Sequence, residues 1–394
     1  MLIDYDRFLN KKLTSVKPSG IRKFFAIAEE MDDVISLGVG EPDFKTPWHI
    51  RQKGIENLES GKTRYTSNSG LIELREEITK YYKRRFNIDY DAKSEVLVTV
   101  GGSEGIDMAI RSVVENGDEV LIVEPSFVCY KPIVEVSGGV AVSLVTKQEN
   151  EFKLTADELK SAITDKTKML ILPYPNNPTG GIMNRKELEA IASVIIENDI
   201  LVLSDEIYGE LTYTEEGHTS IASLDGMKER TIVINGFSKT YSMTGWRLGY
   251  ALAPAPLITQ MTKLHQFAIM SAPTTSQQAA IDALKNGDRD IVKMRNEYDM
   301  RRRFIVDGFN KLGLECFEPK GAFYCFPCIK STGLSSEEFC ERLIRSKKVA
   351  VVPGNAFGDC GEGFIRVSYC YSIKNIKAAL VAIGEFLDEL KSNG

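Results

Sequence analysis

Four charged side chains sit in strongly apolar surroundings, and their types suggest a chemistry: Asp205, Lys239, Arg247 and Arg366. Lys239 lies in TIVINGFSKTYSMTGWRLGY (231–250), just past the apolar run Ile232-Val233-Ile234 and the break at Asn235-Gly236. A lysine beyond a strand end, hemmed in by small and aromatic residues, is partly desolvated, and desolvation lowers its pKa. A neutral amine adds to an aldehyde, so Schiff-base chemistry is its natural use. Arg247, eight residues on, is a planar cation suited to a phosphate. Asp205 closes the apolar run ILVLS at the carboxyl end of an expected buried strand, the edge where open α/β sheets bind ligands. Arg366, alone in GFIRVSYC, must find an anion or reach water. Taken singly, each has a plainer reading: a surface lysine, a structural arginine, a helix cap.

The elements that must position these groups follow a strand–turn–helix rhythm. Val96 to Val100 is a β-branched run, Gly101-Gly102 a tight turn, and Glu104 opens a helical pattern. Free N–H groups at such a helix start favour a phosphate, although many helices begin this way. A Rossmann G-x-G-x-x-G is absent. Further strands are expected before Glu124-Pro125, at Val140 to Val145 and at Met169 to Leu172, with helices near Ala156 to Ile163 and at Arg185 to Glu197. YPNNPTG, which contains Asn177-Pro178, is turn chemistry. After the lysine segment a helix is expected from Pro256 to His265. From about Asp288 the rhythm changes to a long charged helix (290–312), short strands and a final helix, which fits a separate α+β lobe. Near the start, Pro18-Ser19-Gly20 reads as a loop entering a helix with an apolar face.

Composition narrows the class. A chain of 394 residues suggests one large and one small domain, and 43% hydrophobic with 26% charged residues is ordinary for a globular protein. A net charge of −6 argues against nucleic acid. No apolar run reaches the eighteen or so residues that span a bilayer, and MLIDYDRFLNKK does not read as a signal peptide. Seven cysteines suggest free thiols in the cytoplasm, and Cys325-x-x-Cys328 in GAFYCFP reads as buried small side chains. The three histidines are not spaced as metal ligands, so no metal is expected.

Taken together and in order, these segments resemble the class I/II pyridoxal-phosphate-dependent aminotransferases of fold type I, the aspartate/aromatic type, over roughly Val16 to Phe386. The resemblance rests on the Gly-Gly turn, Phe127 two residues after Pro125, NPTG, Asp205-x-x-Tyr208, Lys239, Arg247 and Arg366. It implies an α/β architecture, with a three-layer αβα large domain (42–287) on a mainly parallel sheet, and a smaller α+β domain (1–41 and 288–394). It implies transfer of the amino group of an L-amino acid (aromatic, aspartate or broad) to a 2-oxo acid, 2-oxoglutarate being the expected acceptor, by a ping-pong Schiff-base mechanism. It implies Lys239 as the lysine that binds pyridoxal 5′-phosphate, Asp205 at the pyridine nitrogen, and Phe127 on the ring. Tyr208 and Asn177 are implied at the ring oxygen. Gly102, Ser103, Glu104, Ser238 and Arg247 are implied at the phosphate, with Tyr65 from the partner of a homodimer. Gly40, Asn177, Arg366 and Ile21 are implied at the substrate, and the Asn177–Pro178 bond is expected cis. Two positions depart from the family: Gly236 stands where many members carry a hydroxyl, and Ser103 where some aspartate-using members carry a lysine. The same site could run β-elimination as a C–S lyase, or serve a non-catalytic regulator.

Overall fold

The β-branched and apolar runs fold as twelve strands in the computed structural model, which describes residues 3–16, 20, 31 and 33–392. They are β1 (Ile35–Ser36), β2 (Val96–Thr99), β3 (Glu119–Glu124), β4 (Val140–Val145), β5 (Thr167–Leu172) and β6 (Leu201–Asp205). These are followed by β7 (Thr231–Gly236), β8 (Gly249–Leu252), β9 (Tyr324–Cys325), β10 (Val349–Ala350), β11 (Val352–Pro353) and β12 (Ile365–Ser368). Seven of them form one sheet in the order β2-β8-β7-β6-β5-β3-β4. All run parallel except β8, which opposes both neighbours and pairs Gly249 with Gly236.

Alternate residues of these strands feed opposite faces, as the pleat requires. Ile232 and Ile234 pack with Ile106 and Ile110 of the Gly102–Val113 helix, whereas Val233 packs with Ile78 and Ala280 on the other face. Further along that second face, Leu121, Leu170 and Val202 meet Leu188 and Ile191 of the Arg185–Glu197 helix. Each such buried aliphatic side chain contributes about 1.5–3 kcal/mol. A sheet covered on both faces by helices is a three-layer αβα arrangement.

After Asp288 the architecture changes. The long helix Asp288–Lys311 and the helices Ser336–Lys347 and Ile373–Ser392 enclose Tyr298, Phe309, Phe339, Ile383 and Phe386 against a small antiparallel sheet, β11-β12-β9. β1 joins β10 in parallel, which carries the early segment onto this second body. The expected loop and helix near Pro18, including Ile21, lie outside the described residues. One expectation needs correction. Among the described residues the cis peptide bonds are Glu124–Pro125 and Tyr174–Pro175, not Asn177–Pro178. Among the described residues no helix is long and apolar enough to cross a membrane.

Candidate active site

The carboxyl edge of the large sheet and the small antiparallel sheet enclose a cavity of about 340 Å³. From the sheet edge come Asp205, Tyr208, Ser238 and Lys239, and from the helix-start turn Gly102 and Ser103. Phe127, Asn177 and Arg247 arrive on loops, and Gly40 and Arg366 from the second body. The fold therefore gathers most of the residues singled out above, from positions as far apart in sequence as Gly40 and Arg366.

β7 ends at Gly236 and a short helix, Phe237–Thr240, turns Lys239 into the cavity. Its Nζ donates to the Gly40 carbonyl at 2.7 Å and lies 5.7 Å from the centre of the Phe323 ring. Burial lowers its pKa to about 8, Arg366 and Arg247 push in the same direction, and Glu41 and Cys370 oppose them. A useful fraction of the amine is therefore neutral near physiological pH.

Asp205 is the last residue of β6, and its carboxylate is buried. Oδ2 accepts from the Tyr130 hydroxyl at 2.7 Å and Oδ1 from the Ile207 N–H at 3.2 Å. Desolvation raises its pKa, while these two hydrogen bonds oppose the rise. Such a carboxylate gains from a cationic partner in the cavity it lines. Tyr208 follows in a turn and shares a 2.8 Å contact with the Tyr324 hydroxyl.

The opposite wall is organised by Arg366, buried on β12. Nη1 donates to Asn177 Oδ1 at 2.9 Å and Nη2 to the Gly38 carbonyl at 2.5 Å. The guanidinium lies between the Tyr324 and Phe357 rings, 4.5 and 4.7 Å from their centres, and Nε is buried with no hydrogen-bond partner. The bond from Arg366 fixes the asparagine so that its Nδ2 amide is left for another acceptor.

At the third corner, Gly101 adopts φ +83° before the Gly102–Val113 helix, and a Cβ there would lie 2.8 Å from Arg247 Nη2. The guanidinium thus approaches the helix start, whose first N–H groups have no intrahelical partner. Glu104 contributes differently from Ser103. Its carboxylate accepts from the Val100 N–H at 2.5 Å and meets His265 Nδ1 at 2.9 Å, so only its backbone is available there. Gly236 is equally constrained: a Cβ would meet Gly249 Cα at 3.0 Å, leaving little room for a hydroxyl side chain.

Tyr65 does not line this cavity and is 81% exposed in the single chain. Among the cavity residues that escaped the sequence reading are two phenols, Tyr130 and Tyr324, because phenols inside aromatic-rich runs look like core. The place of Tyr130, three residues after Phe127, was the available signal.

This geometry can be set beside known proteins. The family profile for aminotransferase class I and II matches residues 32–383. The chain belongs to that family. It is 51% identical to the putative aminotransferase YugH of Bacillus subtilis, over 96% of this chain and 98% of that one. It is 47% identical to an aspartate aminotransferase of Pyrococcus abyssi (97% and 99% covered) and 44% identical to aromatic-amino-acid aminotransferase 2 of Thermococcus litoralis (97% and 99%). Among solved structures, aspartate aminotransferase from Thermus thermophilus with maleate superposes with a TM-score of 0.92 at 34% identity, covering 96% of this chain and 99% of that one. As an aminotransferase of this family it is a transaminase that uses pyridoxal phosphate and acts on amino and 2-oxo acids. The residues present fit that cofactor: a lysine of lowered pKa, a buried carboxylate, and an arginine closing on a helix start. The unpartnered Nε of Arg366 adds a donor in want of an anion.

Proposed function

We propose that the enzyme moves the amino group of an aromatic or broad range of L-amino acids to 2-oxoglutarate, in two alternating half-reactions on one site. The observation that carries this reading is the convergence of Lys239, Asp205 and Arg366 on one cavity, with the lysine pKa lowered to about 8. The bound cofactor supplies an aldehyde carbon for the amine and a ring that draws electrons from the substrate's α-carbon. Lys239 would hold the cofactor covalently until the incoming amino group displaces it, and its freed neutral Nζ would move a proton between the substrate α-carbon and the former aldehyde carbon, across the nitrogen that joins them. Asp205 keeps the ring nitrogen protonated, Phe127 stacks on the ring, and Tyr208 with Asn177 donates to the ring oxygen. The N–H groups of Gly102, Ser103 and Glu104, the hydroxyls of Ser103 and Ser238, and Arg247 hold the phosphate. Arg366 grips the substrate α-carboxylate with two hydrogen bonds, beside Asn177, the Gly40 backbone and Ile21.

Lys239, Arg247 and Arg366 are the cations among the described residues lining the cavity, and each has a role in this reading. Ser103 adds no charge for a distal carboxylate, which favours aromatic or neutral donors over aspartate and leaves the distal carboxylate of 2-oxoglutarate to neutral hydrogen-bond donors. We read residues 42–287 as the cofactor domain, and 1–41 with 288–394 as the smaller one. The exposed face bearing Tyr65 and Phe267 (85% exposed) supports a homodimer in which Tyr65 reaches the partner's phosphate. The expected compartment is the cytoplasm.

A panel of amino donors with 2-oxoglutarate tests the reading, with Lys239→Ala alongside. Glutamate and the matching 2-oxo acid should appear with aromatic donors, and the alanine variant should lose both turnover and the cofactor's absorbance near ~400 nm. Pyruvate and ammonia from a cysteine-type donor without any acceptor would identify a C–S lyase instead.

A further inference from the structure

Tyr324 is placed where it meets Tyr208, Arg366 and the segment at Gly40. It stands on β9 opposite Ser368 of β12, so it faces the same side as Arg366, its diagonal neighbour. That register sets its ring 4.5 Å from the Arg366 guanidinium carbon. Its hydroxyl lies 2.8 Å from that of Tyr208, and both phenols are buried. The same oxygen abuts the early segment, where a Cβ added at Gly40 would fall 1.8 Å from it.

Counting protons gives the contact a direction. A phenol carries a single donor hydrogen. If Tyr208 spends its hydrogen on the ring oxygen of the cofactor, the 2.8 Å bond between the phenols must be donated by Tyr324. A hydroxyl that accepts one bond becomes a stronger donor of the next. Meanwhile the ring face attracts the guanidinium and restricts the plane in which Arg366 presents its N–H groups.

We propose that Tyr324 is a positioning residue for transamination: its hydroxyl aims and strengthens the Tyr208 donor, and its ring sets the plane of Arg366. This rests on the roles given above to Tyr208 and Arg366. One side chain then couples cofactor tuning to substrate grip, through chemically separate parts of the same phenol.

The separation makes the idea testable in the enzyme loaded with pyridoxal phosphate. Three variants, Tyr208→Phe, Tyr324→Phe and Tyr324→Leu, are titrated for the pH midpoint of the cofactor absorbance without substrate. Their kcat and KM for an amino donor are then measured. Loss of a bond to the ring oxygen weakens its unprotonated form, so Tyr208→Phe should raise the midpoint. Tyr324→Phe should raise it too, by about 0.4–1 pH unit, with KM within roughly twofold. Tyr324→Leu should add a rise in KM of roughly 3- to 30-fold, as the cation loses its ring. Tyr324→Met replaces the leucine variant should that chain not fold. A midpoint that moves in Tyr208→Phe but stays put in Tyr324→Phe overturns the positioning role alone. A midpoint unmoved even in Tyr208→Phe overturns the underlying assignment of Tyr208 and this inference with it. A wild-type KM in Tyr324→Leu or Tyr324→Met removes the part played by the ring.

Discussion

The two walls of the cavity solve the same problem in opposite ways. On the wall formed by the large sheet, reactive groups stand where strands stop: Asp205 closes β6, Lys239 follows β7, and the Gly101–Ser103 turn follows β2. The other wall uses a strand interior, with Arg366 inside β12 and Tyr324 opening β9. Strand ends leave main-chain N–H groups free and hold their side chains through local turns, as in the Ile207 N–H to Asp205 bond. A strand interior offers no such local turn, so Arg366 is held by carbonyl and amide oxygens and two aromatic rings. The proposed roles divide in much the same way, with electronic work mainly at the sheet ends and grip on the substrate at the small sheet, and Tyr324 links the two.

Three experiments can break or sharpen that division. The largest effect is expected from Asp205→Ala. Removing the carboxylate that supports the ring cation should cut kcat by about 10²–10³-fold. It should also alter the cofactor's absorbance titration, and a change confined to KM would break the comparison. Arg366→Lys should do the reverse. A point charge cannot keep two parallel bonds in the plane set by Tyr324 and Phe357, so KM for the amino donor should rise roughly 10- to 100-fold. The absorbance midpoint without substrate should move less than in Tyr208→Phe, because only the hold on Asn177 changes; a shift as large as that would mean that the walls are not separable.

The smallest effect is in pH. With the Lys239 pKa near 8, about a tenth of the apo-protein has a neutral amine at pH 7 and half at pH 8. Cofactor uptake should therefore quicken about fivefold across that unit, measured by stopped-flow absorbance. The sign also fixes a stability trend. The unfolded chain holds this proton more tightly, so the cost this group imposes on folding is full below about 8 and is relieved as pH climbs toward 10.5. A rise of about tenfold across that unit would mean that burial leaves the amine unaltered, and a flat profile that the amine is already neutral at pH 7.

The difference between the walls also explains what was legible beforehand. β4 and the Arg185–Glu197 helix fall where the apolar periodicity places them, and the charged groups stand out because their neighbours are apolar. The Thr274–Asn286 helix does not stand out, because its buried face is made of Ser276, Gln277 and alanines with a single larger aliphatic residue, Leu284. The Gln277 side chain is fully buried and bonds to the Ala272 carbonyl, Thr66 Oγ1 and the Leu71 N–H, a pattern that reads as loop composition. Tyr324 was hidden for a related reason. Nothing in GAFYCF distinguishes a phenol that fills space from one whose oxygen faces a second phenol across the cavity. The orientation of the Glu104 carboxylate likewise depends on His265, 161 residues away.

The reversed direction of β8 has a last consequence. Because Gly249 pairs with Gly236, the intervening segment leaves and re-enters the sheet at adjacent points on one rim. Lys239 and Arg247 both ride on that closed arc, so their separation is fixed by its length. Adding or removing a residue there would unsettle amine and guanidinium together. In grafting experiments the arc should therefore behave as a single cassette, interchangeable whole between relatives and intolerant of being spliced.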